Sequence, residues 1–169
     1  YEYVKAKEQL FAHQTANNIA IYNSRNTYSE EIADSSKAHK LSYEVPEIDQ
    51  EPIETNGAYV QGKHIFVEGT KICNIKDVKL LGRHNLENVC AALIATWTII
   101  GKKPKIYKKA IQSFTGLEHR LEILAEINGV KYVNDSFGTT PETAIVAIKS
   151  FSQPKIMIVG GSDKGANFA

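Results

Sequence analysis

The chain has 169 residues, of which 43% are hydrophobic, enough to bury one large core or two modest ones. Its 20 Lys and Arg residues are interleaved with 19 Asp and Glu residues, so no charged surface favours nucleic acid or an anionic membrane. Cys73 and Cys90 lack metal-ligand spacing, which predicts two buried thiols and a reducing, cytoplasmic setting. No apolar run approaches the roughly 20 residues of a membrane-spanning helix.

The two ends of the sequence predict a longer protein. Tyr1 opens the chain and Met157 is its single methionine, so we expect further chain upstream. At the other end, a glycine-rich run at 160–165 follows the apolar segment 156–159. A βα unit ordinarily continues into a helix at such a point, so we expect further chain downstream as well.

The first half of the chain predicts a helix, a strand and then a group of short strands. Apolar residues recur at helical spacing from Tyr3 to Gln14, and residues 19–22 form a short apolar strand. Between Leu41 and Ile75, β-type runs divided by glycines indicate antiparallel pairing. The clearest pair, 58–60 and 64–67, predicts a hairpin.

Two helices follow. Asn85 is a plausible N-cap for a helix that is almost continuously apolar from Val89 to Ile100, so we expect it to be buried on most sides until Gly101 ends it. Residues 106–114 predict a second helix. The break at 102–105 is the predicted linker, which divides the chain into domains at 1–102 and 103–169.

The last third predicts a second α/β region. Strands at 121–127 and 130–133 are turned by Asn128-Gly129, and a helix at 140–150 precedes a strand at 156–159. Strand, helix and strand in this order predict a parallel sheet with its site at the carboxyl edge.

The first candidate motif is the run 82–88, Gly-Arg-His-Asn-Leu-Glu-Asn, at the start of the long helix. His84 and Asn88 are four residues apart and so share a helix face. The amide of Asn88 can both donate to and accept from a base, which suits adenine recognition. Asn and His near a helix start are also common structural caps, and the residues alone leave both interpretations open.

The second motif is the run 114–122, Phe-Thr-Gly-Leu-Glu-His-Arg-Leu-Glu, which leads from a helix into a strand. It presents His119 and Arg120 between two elements, where a guanidinium could bind phosphate oxygens with its forked donors. The alternative is an ordinary surface salt bridge.

The third motif, Asn134-Asp135-Ser136, closes a predicted strand with polar residues, as site residues do in an open parallel sheet. These residue types also favour a simple turn. The fourth is the loop 160–165, whose amides could form an anion-binding nest around Lys164. It matches neither the P-loop nor the dinucleotide pattern, so alone it is a weak signal.

Lys7 shares its predicted helix face with Tyr3 and Leu10. Partial burial there would favour the neutral amine, which can take up carbon dioxide as a carbamate. By composition alone, Lys7 is an ordinary solvated side chain.

Together, in this order, the motifs resemble those of the Mur ligase family. Residues 82–92 resemble the family's G-x-H-N-x-x-N-x-x-A-A signature, 114–122 its F-x-G-L-x-H-R-x-E run, and 160–168 its G-G-x-D-K-G-x-x-F loop. The resemblance implies an α/β fold: the later part of a P-loop-type central ATPase domain, with a mixed sheet that includes an antiparallel portion, followed by the start of a Rossmann-like C-terminal domain.

The resemblance also implies roles for single residues. Asn88 would contact adenine, Asp135 the ribose, and Arg120 the ATP phosphates beside His119. Lys7 as a carbamate would bind the second magnesium ion. In the D-glutamate-adding members, which Asn134-Asp135-Ser136 resembles most, the positions of Ser136, Thr139 and Lys164 would lie against the incoming amino acid. The family usually has a lysine where this chain has Phe137, which is a departure near the substrates.

The implied activity is an ATP- and Mg²⁺-dependent ligase that joins D-glutamate to UDP-N-acetylmuramoyl-L-alanine through an acyl phosphate. We expect a cytoplasmic monomer, and we expect the chain by itself to be inactive because the family's P-loop would lie upstream. The alternatives are another Mur ligase, a ligase like folylpolyglutamate synthase, a noncatalytic nucleotide-binding module, and an unrelated doubly wound domain.

Overall fold

The computed structural model describes residues 2–47, 49–53 and 56–161, apart from the side chain of residue 142. The chain forms two compact units. The N-terminal unit consists of Tyr1–Val78 and His84–Ser113, and the C-terminal unit consists of Lys79–Arg83 and Phe114–Ala169. The N-terminal unit therefore contains the helix that follows residue 103, and the domain boundary at 102/103 stays a prediction.

The N-terminal unit is a mixed α/β structure. Its elements are α1 (Glu2–Ala12), β1 (Ile19–Asn23), α2 (Thr27–Ser35), β2 (His39–Glu44), β3 (Ala58–Gln61), β4 (His64–Val67), β5 (Thr70–Asn74), a short 3-10 helix (Ile75–Asp77), α3 (His84–Ile100) and α4 (Pro104–Ser113). The five strands form one sheet in sequence order, β1-β2-β3-β4-β5.

The sheet is parallel at one side and antiparallel at the other. β1 and β2 pair in parallel with Ile21 opposite Leu41, and β2 pairs in parallel with β3. β3, β4 and β5 are antiparallel, and the predicted hairpin is confirmed with Tyr59 opposite Phe66. The prediction of antiparallel pairing throughout residues 41–75 was wrong for β2. β2 is parallel to both neighbours, because it is joined to β1 through the crossover helix α2 and to β3 through a long connection instead of a hairpin turn.

Helix α3 packs on this sheet through one face. Its buried residues recur at helical spacing: Cys90, Leu93, Ile94 and Trp97. The opposite side is exposed, with Ile99 81% accessible, so the prediction of burial on most sides was wrong. An almost continuous apolar sequence does not specify which side meets the sheet. The helix also begins at His84, which places Asn85 in the first turn and not at the N-cap.

The junction of α3 and α4 is fixed by aromatic packing and hydrogen bonds. Gly101 ends α3 at φ +74°, and its N–H donates to the Trp97 carbonyl. The rings of Trp97 and Tyr107 lie 5.6 Å apart, and the Tyr107 hydroxyl donates to the Gly101 carbonyl at 2.7 Å. Trp97 Nε1 donates to Glu68 at 3.0 Å. These contacts therefore fix the end of α3 and the start of α4 against the core.

Cys73 and Cys90 lie in this core as free, buried thiols, as predicted. Burial raises the pKa of Cys73 to about 11 and that of Cys90 to about 12. Both thiols are therefore protonated at neutral pH, and they act as small apolar side chains.

The C-terminal unit is smaller and simpler. It contains β6 (Glu122–Ile127), β7 (Val130–Asn134) and α5 (Pro141–Lys149). The two strands form an antiparallel hairpin whose turn, Asn128-Gly129, has positive φ at both positions, as a type I′ turn requires. Thr140 caps α5 by accepting from the Thr143 N–H. The predicted hairpin and helix are confirmed.

The predicted last strand is wrong within the described residues. Residues 156–159 pair with no strand there, and β7 pairs only with β6. A parallel sheet needs a backbone partner for each strand, which the apolar sequence alone does not provide. The Rossmann-like continuation stays a prediction. No helix in the described part of the chain is long and apolar enough to cross a membrane.

Candidate functional site

The start of α3 presents the first candidate residues. His84 and Asn88 lie one turn apart on this helix, as expected from their spacing. The Asn88 side chain is exposed, and its Nδ2 donates to Asn85 Oδ1 at 3.2 Å. A helix N-terminus carries partial positive charge and donor N–H groups. Asn88 therefore lies one turn into α3, close to this N-terminus and with its amide exposed.

The carboxyl end of β1 is joined to this first turn. Asn23 Nδ2 donates to Glu87 Oε2 at 3.4 Å, and Asn23 is in register with Tyr43 of β2. Burial, then the charge of Glu87, raise the pKa of the Tyr43 hydroxyl. Ser24 Oγ is buried here without a hydrogen-bond partner in the described structure. The sequence signal for this edge, polar residues directly after the apolar strand 19–22, was interpreted only as a turn.

Arg25 organises the loop beside that edge. Its Nε forms an ion pair with the buried carboxylate of Glu44 at 2.9 Å. Its Nη1 donates to Gln50 Oε1 at 2.6 Å, and its Nη2 donates to the Glu51 carbonyl at 2.9 Å. One guanidinium therefore fixes the end of β2 and part of the following loop. The sequence prediction missed this network because its members are 19 to 26 residues apart.

Lys7 differs from its expected setting. α1 has no buried residues, and Lys7 and its neighbours Tyr3 and Leu10 are all exposed, so the expected partial burial is wrong. The Lys7 ammonium lies 5.4 Å from the centre of the Tyr3 ring instead. A shared helix face was correctly inferred, but that face packs against nothing in the described chain. The carbamate stays a prediction.

In the C-terminal unit, residues 119–121 form an arch that carries Arg120 at its centre. The Leu121 N–H donates to Asp135 Oδ1 at 3.1 Å, and the Phe137 N–H donates to the His119 carbonyl at 3.1 Å. The His119 N–H donates to Glu122 Oε2 at 2.8 Å. The Arg120 side chain is exposed. The structure therefore joins the second and third motifs through Leu121 and Asp135, which are 14 residues apart in the sequence.

The side chains of the arch reinforce this contact. His119 Nδ1 lies 2.8 Å from Asn134 Nδ2, and the His119 and Phe137 rings lie 5.8 Å apart. Asn134 Oδ1 in turn accepts from the Ser136 N–H at 3.1 Å. Phe137, the departure from the family's lysine, is thus a packing partner of His119 through its ring.

The remaining predicted residues lie around the turn after β7 or outside the described chain. Asp135 is partly buried, and its carbonyl accepts from the Gly138 N–H at 2.9 Å. Ser136 and Thr139 are exposed on the same turn. Lys164 and Phe168 lie outside the described residues.

Two of the predicted residues, one in each unit, have exposed side chains whose chemistry suits parts of a nucleotide. Exposed Arg120 can bind an anion, and exposed Asn88 offers an amide to a base. No group of three or more His, Cys, Asp or Glu residues in the described chain could hold a metal ion.

Comparison with known proteins identifies the family of the chain. The family model for the Mur ligase middle domain matches residues 1–96. The chain is 35% identical over 169 residues to "UDP-N-acetylmuramoylalanine--D-glutamate ligase" of Clostridium novyi (strain NT), which covers 99% of this chain and 35% of the relative. The enzyme of the same name from Natranaerobius thermophilus is 35% identical over 171 residues, covering 99% of this chain and 36% of the relative. The chain spans about a third of the length of these relatives.

Solved structures of related folds are more distant in sequence. MurF from Acinetobacter baumannii superposes with a TM-score of 0.68 at 15% identity, covering 89% of this chain and 33% of that chain. A murein peptide ligase from Psychrobacter arcticus 273-4 gives 0.58 at 17% identity, covering 86% and 31%. These superpositions show that the chain shares the fold of these structures. On the match over residues 1–96, the chain belongs to the Mur ligase family.

Proposed function

We propose that the whole protein containing this chain is an ATP-dependent amide ligase that adds D-glutamate to UDP-N-acetylmuramoyl-L-alanine in peptidoglycan precursor synthesis. The observation that carries this proposal is the 35% identity, over nearly the whole chain, to relatives that bear the name of that reaction. The Asn134-Asp135-Ser136 motif supports the same branch of the family.

The reaction couples two steps. ATP supplies a phosphoryl group to the substrate carboxylate, which gives an acyl phosphate and ADP. The amine of D-glutamate then attacks the acyl carbon, phosphate leaves with its bonding electrons, and the amine loses a proton to give the amide. The chain contributes by binding the nucleotide and by stabilising the charge that develops on phosphate and acyl oxygens.

The N-terminal unit supplies the base contact. Asn88 is exposed one turn into α3, and its amide can donate to one edge atom of adenine while accepting from another. In this proposal its contact with Asn85 is exchanged for the base. Residues 1–102 then form the later part of the ATP-binding middle domain.

The C-terminal unit, within proposed domain 103–169, supplies the phosphate and ribose contacts. Arg120 is exposed on an arch held at both sides, so its guanidinium can bind phosphate oxygens without ordering a flexible loop. His119 lies beside it. Asp135 holds the ribose through Oδ2, because Oδ1 is occupied by the Leu121 N–H.

The amino acid and the metal involve residues of the turn after β7, of the loop 160–165 and of α1. Ser136 and Thr139 are exposed on the turn after β7, where hydroxyl groups can bind a carboxylate or an amine. Lys164 is proposed for the carboxylate of D-glutamate. Lys7 is exposed, and as a carbamate it would supply one oxygen ligand to a Mg²⁺ ion bound with ATP. We further propose a cytoplasmic monomer.

The test is ATP-dependent phosphate release by the whole protein in the presence of UDP-N-acetylmuramoyl-L-alanine and one of four amines. D-Glutamate should be preferred over L-lysine, diaminopimelate and L-alanine. Preference for another amine would place the protein elsewhere in the family, and Phe137 would then be the first residue to examine. The 169-residue chain alone serves as the control, and we expect it to release no phosphate.

A further inference from the structure

The turn after β7 fixes the proton on a neighbouring histidine. The Ser136 N–H donates to Asn134 Oδ1 at 3.1 Å, so the other end of the Asn134 amide, its NH₂ group, faces His119 Nδ1 at 2.8 Å. An NH₂ group can only donate, so His119 Nδ1 must accept. A neutral imidazole that accepts at Nδ1 carries its proton on Nε2.

A neighbouring carboxylate acts in the opposite sense. Glu122 of β6 has its Oε2 atom 3.8 Å from His119 Nδ1, and a carboxylate there favours a proton on Nδ1. The same oxygen already accepts from the His119 N–H at 2.8 Å. From the turn, the Phe137 ring packs against the imidazole without charge. Asn134 is therefore the contact that selects the acceptor state of Nδ1.

The ring belongs to an arch with an uncommon backbone. His119 and Leu121 have φ angles of +64° and +46°, a left-handed conformation that side-chain-bearing residues rarely adopt. Both lie next to Arg120 in the sequence. Such a conformation persists only where surrounding contacts hold it, and here those contacts come from Asn134, Asp135 and the Phe137 N–H.

We propose that Asn134 is a positioning residue: its amide holds His119 as the Nε2–H tautomer and thereby fixes the arch that presents Arg120 to phosphate. The phosphate part of this statement rests on the proposed function, whereas the tautomer does not. The assignment also gives His119 a different role from a proton donor at Nδ1. Its Nε2–H is the group left to meet a ligand.

The tautomer is measured on the 169-residue chain with ¹⁵N-labelled histidine, by long-range proton–nitrogen correlation at about pH 8, where an ordinary imidazole is neutral. His119 should show a protonated Nε2 and an unprotonated Nδ1. The other four histidines serve as internal references. A tautomer mixture like that of free imidazole, or a proton on Nδ1, would overturn the proposal without any variant being needed.

Two variants sharpen this measurement. Asn134→Asp replaces the donor with a carboxylate that can only accept, so the proton should move to Nδ1. Ser136→Ala is the matched control: the group that binds Asn134 is the Ser136 backbone N–H, so the His119 tautomer should not change. An unchanged tautomer in Asn134→Asp would refute the role assigned to Asn134.

The positioning role is measured on the whole protein. Asn134→Ala should lower kcat about tenfold while the KM for D-glutamate stays constant, because a misplaced Arg120 loses transition-state contacts and not amino-acid contacts. Unchanged kcat in an active enzyme would refute positioning. A whole protein that releases no phosphate but retains the tautomer would refute the proposed function and leave the arch geometry in place.

Discussion

The two units of this chain are stabilised in different ways. In the N-terminal unit, a five-stranded sheet and α3 enclose a core that includes the fully buried residues Ile65, Val67 and Ile94. In the described part of the C-terminal unit, no residue is buried, and large apolar side chains such as Ile158 are almost fully exposed. Its geometry depends on the hairpin turn, the cap of α5 and the polar contacts of the arch.

This difference determines how each unit holds its candidate site residue in place. The N-terminal unit places Asn88 on a helix that the core fixes, so hydrophobic packing determines where that side chain lies. The C-terminal unit places Arg120 on an arch that a few hydrogen bonds determine. Substitutions in the first unit should therefore change global stability, and substitutions in the second should change local geometry.

The largest expected effect is the loss of core packing. Ile94→Ala should lower the free energy of unfolding by about 3 kcal/mol, because it removes fully buried methyl groups from the α3–sheet interface. Urea unfolding followed by the fluorescence of Trp97, the only tryptophan, measures this directly. Ile99→Ala on the same helix and Ile158→Ala in the C-terminal unit are matched controls, each expected to cost less than about 0.5 kcal/mol. An equal decrease in the free energy of unfolding for Ile94→Ala and Ile158→Ala would contradict this difference between the two units.

The buried thiols give a pH-dependent effect on stability. In the folded chain the pKa of Cys73 is about 11 and that of Cys90 about 12, against an ordinary value of 9.0. Above about pH 9 the unfolded chain loses these protons while the folded chain keeps them, so stability falls as pH rises. The fall is at most about 1.4 kcal/mol per pH unit for each thiol, and below pH 9 the full contribution is present.

Unfolding curves collected from pH 8 to 11 test this sign. Other groups also titrate in that range, so the informative quantity is the difference between the unchanged chain and Cys90→Ala, whose stability should fall less steeply with pH. Parallel pH profiles for the two proteins would show that the Cys90 thiol is not protected by the fold.

Gly138→Ala is expected to change global stability least while it changes the local geometry around Asp135 strongly. A Cβ atom at this position would lie 2.9 Å from Asp135 Oδ2 and 3.1 Å from the Asp135 carbonyl oxygen. Gly138→Ala should therefore displace the Asp135 carboxylate and free the Leu121 N–H, while urea unfolding of the N-terminal unit changes by less than about 0.5 kcal/mol. Faster hydrogen exchange at Leu121 is the measurement, and unchanged exchange would contradict it.

Features that depend on residues close together in the sequence were predicted, and features that depend on distant residues were missed. The hairpins of β3–β4 and β6–β7 were predicted because turn residues and alternation lie within a few positions of one another. α2 was missed because only Ala33 of its nine residues is buried, which leaves no apolar stripe, and the parallel pairing of β2 was missed with it.

The site was predicted as separate motifs. Arg120 and Asp135 were identified by resemblance, and the predicted β6–β7 hairpin, with Glu122 opposite Asn134, already brings their segments together. The side-chain contact between His119 and Asn134 was not predicted. Arg25 and Glu44 are joined by the parallel sheet that the sequence did not reveal. For Lys7 the shared helix face was predictable, whereas its exposure depended on what packs against α1.

The most direct test of the account compares one residue from each unit in the whole protein, with phosphate release measured against ATP concentration. Asn88→Ala should raise the KM for ATP about tenfold with little change in kcat, because it removes a contact to the bound nucleotide. Arg120→Ala should lower kcat at least about 100-fold, because it removes charge stabilisation in the transition state. Lys71→Ala, an exposed change on β5, is the control. Wild-type kinetics in both Asn88→Ala and Arg120→Ala would contradict the assignment of this chain to nucleotide binding and phosphoryl transfer.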